Sequence, residues 1–339
     1  MVERNQLLRP TLKLLLILAL AWLVLVALLS SGRNPGATIS IFSTRFLGIF
    51  IEAAPFLLLG TLTSGLIEAF VTPDDIARWV PRRAFPATVA GAFLGFAFPV
   101  CECGVVPVAR RLFTKGMPMS VGIAFLLAAP VMNPIVFAST AIAFGVGPVL
   151  IGRFAITALV AIGIGLVFAL RANPLEVLRP QALMPVRGGS GAASTIAPPR
   201  QSLRHGLLEA LRLGGDEFFE MGRYLIIGSL LAAAMQTLVS QEALLSLGRG
   251  PIISVIAMQG LAFVLSVCST VDAFLALAFA GAFTTGSLLS FLTFGPMVDI
   301  KSMLMFLGVF ERKTVFYLIL LPLLMTMLIG IWINLNLVI

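Results

Sequence analysis

The densest chemistry in the chain is Cys101-Glu102-Cys103-Gly104. Thiolates are soft ligands that select soft or borderline ions such as Cu(I) and Zn, and by the same chemistry trivalent arsenic. On a continuous helix, residues two apart diverge by about 200°. Both thiols would therefore reach one ligand only from an extended or unwound segment, for which Gly104 and Pro107 are the expected breaks. Cys268 is the third and last cysteine. Three thiols meeting at one point would form a transport site for a soft metal ion or As(III). As packing residues, the same cysteines would be small buried hydrophobes. An odd count outside any hydrophilic stretch argues against a disulfide framework.

Acids embedded in apolar sequence form a second set: Glu52, Glu68, Glu102, Glu220, Asp272 and Asp299, with Arg223 and Lys301 as candidate partners. A charge at the centre of a bilayer costs roughly 2.5–3.5 kcal/mol on insertion scales, so such residues default to functional roles. Glu102, Glu52, Asp272 and Glu220 are the candidates for proton coupling. Glu52 and Glu102 have no cation within a helical turn, whereas Glu220 and Arg223 lie three apart and can neutralise each other. Asp272 follows Cys268 by one turn, as a counterpart to Glu102. A third set consists of helix breaks beside polar side chains: Pro130-Val-Met-Asn133-Pro134 and Pro296-Met-Val-Asp299. Asn133 and Asp299 could satisfy backbone groups freed by the prolines or touch a substrate.

The elements that position these residues are membrane helices. Of 339 residues, 59% are hydrophobic and 11% charged, against about 25% charged in soluble chains. The expected fold is an all-α polytopic membrane protein, because lipid-exposed backbone must satisfy its own hydrogen bonds. The net charge of +8 comes from cations in short loops between apolar runs, a topology signal rather than a nucleic-acid footprint. Apolar runs cover about residues 12–30, 45–71, 85–109, 118–145, 148–170, 215–240, 251–283, 286–308 and 314–337. The first exceeds a signal-peptide core of roughly 7–15 residues and reads as an uncleaved anchor.

The stretch 171–213 is polar and rich in Pro, Gly and Ser, a flexible linker. Its two flanks repeat each other. Glu52 with Gly60 matches Glu220 with Gly228; Val100-Cys101 matches Val267-Cys268; Pro130 to Asn133 matches Pro296 to Asp299. The glutamate-to-cysteine distance is 49 residues in one half and 48 in the other. Three kinds of match in one order at one spacing define an internal repeat. The expected organisation is an anchor and outer loop (1–44), a first repeat (45–170), a cytoplasmic linker (171–213) and a second repeat (214–339).

Charge placement sets the relation between the halves. If 85–109 and 251–283 are re-entrant hairpins and the N-terminus is cytoplasmic, 17 of the 23 cations fall inside: Arg4/Arg9/Lys13, Arg78/Arg82/Arg83, Arg110/Arg111/Lys115, the six arginines from Arg171 to Arg212, and Arg312/Lys313. If every run spans, the better orientation places only 11 there. The positive-inside rule favours the hairpins. Each half then crosses three times, an odd number, so the repeats are inverted, as in many secondary transporters.

The segments Phe98-Pro99-Val100-Cys101-Glu102-Cys103-Gly104, with Pro107, and Ala128-Ala129-Pro130-Val131-Met132-Asn133-Pro134 resemble the bacterial predicted-permease family that includes the ArsP-type organoarsenical efflux permeases. The similarity covers about residues 45–335. It implies a permease of the bacterial cytoplasmic membrane; some members resemble exporters of trivalent methylated or aromatic arsenicals, and others are linked with copper or zinc efflux.

Three functions fit. The first is a secondary transporter, an efflux permease that binds a thiophilic solute at Cys101, Cys103, Cys268, Asn133 and Asp299 and is driven by protons. No nucleotide-binding loop occurs in the sequence. The second is a membrane thiol oxidoreductase using Cys101 and Cys103, which lacks the Cys-x-x-Cys spacing. The third is a non-transporting subunit of a metal export complex. The expected reading is a transporter without enzymatic activity or cofactor, whose partners are the bilayer, a small thiophilic solute, and a further copy or accessory subunit.

Overall fold

The computed structural model describes residues 35–81, 83–96, 98, 100–171, 177–178, 203–238 and 250–336. The anchor expected at 12–30 and most of the linker lie outside them. The described residues form helices α1 (Pro35–Phe70), α2 (Pro73–Trp79), α3 (Ala84–Phe93, extended by a 3-10 turn, Leu94–Phe96), α4 (Glu102–Thr114), α5 (Met119–Ala128), α6 (Pro134–Phe144) and α7 (Pro148–Arg171). They continue with α8 (Leu203–Leu238), α9 (Ile253–Leu265), α10 (Asp272–Phe279), α11 (Thr285–Met297), α12 (Ile300–Val309) and α13 (Arg312–Asn336). Among the described residues, five stretches are long and apolar enough to cross a membrane: Gly36–Phe70, Pro148–Leu170, Gly206–Thr237, Thr285–Val309 and Arg312–Asn336. The chain is an all-helical polytopic membrane protein.

The repeat is visible as a matching order of elements. A long helix (α1 or α8) is followed by a pair broken at a cysteine (α3/α4 or α9/α10). A second pair, broken at Asn133 or Asp299 (α5/α6 or α11/α12), leads into another long helix (α7 or α13). The cysteine-broken pairs reverse direction. Gly91 lies on Val121 and Gly95 on Ala129, so α3 runs parallel to α5. The short turn after α4 brings Phe113 back onto Gly122, so α4 runs antiparallel to α5. In the other half, Ser254 meets Thr284 and Ala262 meets Gly295, so α9 parallels α11 while α10 returns. The second pairs continue in one direction: Arg153 reaches Thr140 as α6 passes α7, and Gly165 lies on Ser120 as α5 does.

Helices α1 and α8 form a long antiparallel pair, from Arg45 against Gln236 to Phe70 against Gly206. At 36 residues, α1 spans about 54 Å at 1.5 Å per residue, well beyond a hydrocarbon core of about 30 Å. The pair packs on α4 and α12, which also touch each other, and α6 and α10 meet each other. The Phe113–Phe310 ring contact and the Lys115 to Glu68 hydrogen bond gather the ends of α1, α4 and α12 at one end of the molecule.

Several expectations are corrected. Residues 35–44, expected as an outer loop, are already α1, and 203–213, expected as linker, open α8. Gly104 and Pro107 do not break the chain; both lie inside α4, and the reversal precedes Cys101. Gly104 has a different purpose. A Cβ on Gly60 would lie 2.4 Å from the Gly104 Cα, so the two glycines let α1 and α4 touch backbone to backbone. Pro130 does lie in a break, Pro134 is the first residue of α6, and Pro296 closes α11 just before the break at Val298 and Asp299. Arg110 and Arg111 are not loop residues but are buried in α4.

Candidate functional site

Four half-helices begin at the middle of the molecule, each with a chemically active residue at its start. Cys101 is the N-cap of α4 and Glu102 its first residue. Asp272 is the first residue of α10, and Ser266, in the left-handed region at φ 48°, ends α9 and turns the chain toward Cys268. Asn133 caps α6, its side-chain oxygen accepting from the Val136 N–H at 2.9 Å. Asp299 caps α12, accepting from the Ser302 N–H at 2.6 Å. The positive ends of the helix dipoles favour negative charge at these starts, and buried Lys301 and Arg153 pair with the carboxylates.

The structure brings Cys101, Glu102 and Cys268 together: their ligand atoms all lie within 4.8 Å of one another, and all three residues are buried. Cys101 and Glu102 come from one repeat and Cys268 from the other. All three cysteines are free thiols. Cys103, one step into α4, adjoins the Cys101 thiol but is not part of the three-ligand group. Two thiols and one carboxylate at this separation suit a borderline or soft ion.

Two buried cations pair with the carboxylates of and beside this group. Lys301 Nζ lies 3.3 Å from Glu102 Oε1 and 3.4 Å from Asp299 Oδ2. Arg153, fully buried, donates to Asp272 Oδ2 at 2.7 Å and to Thr140 Oγ1 at 2.9 Å. One oxygen of each carboxylate, Glu102 Oε2, Asp272 Oδ1 and Asp299 Oδ2, has no hydrogen bond among the described residues, and neither has Glu52 Oε1.

Asn133 and Asp299 are occupied as helix caps, and Asn133 also donates to the Pro130 carbonyl at 3.2 Å. Glu220 is not neutralised by Arg223: its carboxylate takes Arg110 at 3.1 Å, while Arg223 reaches only the Glu220 backbone carbonyl. Glu220 thus belongs to a second cluster between α1, α4 and α8, away from the thiols. Fully buried Glu217 takes Arg110 at 3.9 Å and Arg111 at 3.7 Å, and accepts from Ser64; Glu68 takes Arg111 at 3.7 Å and Lys115 at 3.5 Å.

Sequence reasoning did not single out Arg153 or Glu217. An arginine inside the apolar run 148–170 was itself a signal, since such a charge needs a partner. Glu217 carried less, being one of several acids on a helix with a polar start.

These features define a class: a polytopic membrane protein with broken helices meeting at a buried polar centre between two repeats. The chain belongs to the family described as a predicted permease, ArsP_1, whose model matches residues 39–335. It is 44% identical over 275 residues to UPF0718 protein YcgR of Bacillus subtilis strain 168, covering 81% of this chain and 90% of that protein. It is 37% identical over 273 residues to a Streptococcus mutans protein named a two-component membrane permease complex subunit, covering 79% of this chain and 86% of that protein. No solved structure matches the chain.

Proposed function

We propose that the chain is a secondary permease that exports a thiophilic solute held between the two repeats by Cys101, Cys268 and Glu102. The observation that carries this reading is the convergence of one thiol from each repeat on a shared carboxylate within 4.8 Å. A site built across the repeat interface is remade or broken whenever the repeats move relative to each other, as transport requires. A soft or borderline divalent ion would use both thiolates and the carboxylate. A monosubstituted trivalent arsenical would use the two thiolates alone, its carbon filling the third position. Family membership points to transport rather than catalysis.

Release is coupled to protons carried by Glu102, Glu52 or Asp272, each of which keeps a buried carboxylate oxygen free of hydrogen bonds. The protein lies in the cytoplasmic membrane with the Lys115 and Arg312 end inward, and the Streptococcus mutans relative's name supports an accessory subunit as partner. Uptake of arsenite, a phenylarsenical(III), Zn(II) and Cu(I) into everted vesicles tests the reading. Uptake of at least one, lost in Cys101→Ser and in Cys268→Ser at normal protein levels, supports it. Full uptake in the Cys101→Ser/Cys268→Ser double variant refutes it.

A further inference from the structure

The two repeats match in order but not in how they are packed. Gly60 of α1 sits against Gly104 of α4, and Gly228 of α8 sits against Lys301 of α12, where a Cβ on Gly228 would lie 2.9 Å from the Lys301 Cα. Gly60 and Gly228 are repeat counterparts, since each lies eight residues after the matching glutamate. If the halves were packed alike, Gly228 would also meet the counterpart of Gly104, which is Val271, and Gly60 the counterpart of Lys301, which is Ile135. Neither happens. The α1–α8 pair rests mainly on α4 and α12 rather than on α6 and α10. Gly104 and Lys301 are buried, while Ile135 is 46% and Val271 47% exposed although each is within two residues of a buried polar residue of the site, Asn133 or Asp272.

A chemical asymmetry accompanies the packing. The side on which α1 and α8 are closed carries the second ionic cluster, with Arg110, Arg111 and Lys115 of α4 facing Glu68 of α1 and Glu217 and Glu220 of α8. Three cations face three acids, and all six side chains are buried or partly buried. The cluster is loosely bonded: Glu217 Oε1 and Arg111 Nε and Nη2 make no hydrogen bond among the described residues, and several pairs stand at 3.5–3.9 Å. The repeat counterpart of α4 is α10, which carries no charge after Asp272. A buried pair of charges is stabilising only while its partners stay together, so such a cluster resists separation of α4 from α1 and α8 without holding the helices in a densely bonded contact.

We propose that this cluster is a one-sided ionic gate. It holds the α1–α8 pair on α4 and α12 in the state seen here; when it opens, the pair rocks about Gly60 and Gly228 and closes over Ile135 and Val271 on α6 and α10. The two states exchange the roles of the repeats, so the buried site faces one end of the molecule and then the other. The inference rests on the chain being a transporter, but not on the solute being thiophilic.

Cross-linking tests it on the full-length protein. In the Arg110→Cys/Glu220→Cys variant, a short bifunctional methanethiosulfonate joins α4 to α8. Uptake into everted vesicles should be lost and should return when reductant cleaves the link, while each single variant keeps its own untreated rate. Lys115→Cys/Glu68→Cys offers a second link should the first variant not fold. A readout without solute uses a water-soluble maleimide on the protein in proteoliposomes. Opening the gate with Glu217→Gln/Glu220→Gln should slow labelling of Ile135→Cys and Val271→Cys severalfold. Labelling of Ile142→Cys, 75% exposed at the far end of α6, should not change. A linked protein that transports at its untreated rate, or labelling at 135 and 271 indifferent to both the link and the gate variants, would overturn the proposal. If wild-type vesicles take up none of the solutes tried, the solute reading fails and the labelling arms still decide the gate.

Discussion

Glu102 and Asp272 open the returning limbs of the two hairpins, one in each repeat, and each is held by a cation from the other repeat. Lys301 of the second repeat reaches Glu102 at 3.3 Å, and Arg153 of the first reaches Asp272 at 2.7 Å. The two pairs are thus crossed struts between the halves. Removing one partner of such a pair leaves a buried charge uncompensated, at a cost of about 3–5 kcal/mol, whereas removing both costs far less.

The first expected outcome follows from that asymmetry. Arg153→Met should strongly lower the thermal midpoint of the detergent-solubilised protein, and Arg153→Met/Asp272→Asn should recover much of the loss. Additive losses in the double variant would mean that the two side chains do not depend on each other.

The thiols give a second. Cys101 and Cys268 share the ligand group with Glu102, and Cys103 does not. Serine is nearly the size of cysteine but a far weaker ligand for soft ions. Cys101→Ser and Cys268→Ser should each abolish transport, and Cys103→Ser should retain a substantial part. The reverse order, with Cys103→Ser as damaging as Cys101→Ser and Cys268→Ser mild, would return the site to the Cys-x-Cys pair.

The third concerns a backbone-to-backbone helix contact beside the site. A methyl on Gly60 would collide with the Gly104 backbone, whereas one on Gly48, on the same helix, meets nothing within 4 Å. Overpacking a fitted contact costs about 1–3 kcal/mol. Gly60→Ala should therefore destabilise by that order and displace Glu102, which opens the same helix as Gly104, while Gly48→Ala should be neutral or slightly stabilising. Unfolding in a chemical denaturant measures both.

Much of this arrangement was legible in the sequence, because repeats, prolines and isolated charges leave local marks. The pairing of Cys101 with Cys268 and of Asn133 with Asp299 as repeat counterparts follows from spacing alone, and the returning hairpins follow from where the cations fall; Asp272, four residues past Cys268 where Glu102 is one past Cys101, matches Glu102 in chemistry but not in spacing. The exact site of the first break did not follow: two prolines flank Cys101 in the sequence, and α4 runs through Pro107 while the reversal precedes Cys101. The start of α8 was hidden because its first turns are polar. Partnerships were the least legible. Lys301 is 199 residues from Glu102 and Arg153 is 119 from Asp272, and only the tertiary fold brings them together. The same holds for Arg110 and Arg111, whose charges suggest a loop until Glu68, Glu217 and Glu220 are seen around them.

The last expected outcome separates capping from ligand binding at Asn133 and Asp299. Both side chains accept a backbone N–H at the start of a half-helix, and losing an N-cap costs about 0.5–2 kcal/mol. Asn133→Ala loses the cap, and Asn133→Asp keeps the capping acceptor but sets a buried carboxylate against the Pro130 carbonyl to which the amide donates, so both should lose stability. Asp299 has a second duty, since its other oxygen lies 3.4 Å from Lys301. Asp299→Asn should keep the cap but remove one of the two negative charges that hold the lysine, leaving Lys301 paired with Glu102 alone. If these residues act as caps, transport should follow stability across Asn133→Ala, Asn133→Asp and Asp299→Asn. Transport lost in Asn133→Asp at unchanged stability would show instead that the Asn133 amide contacts the solute.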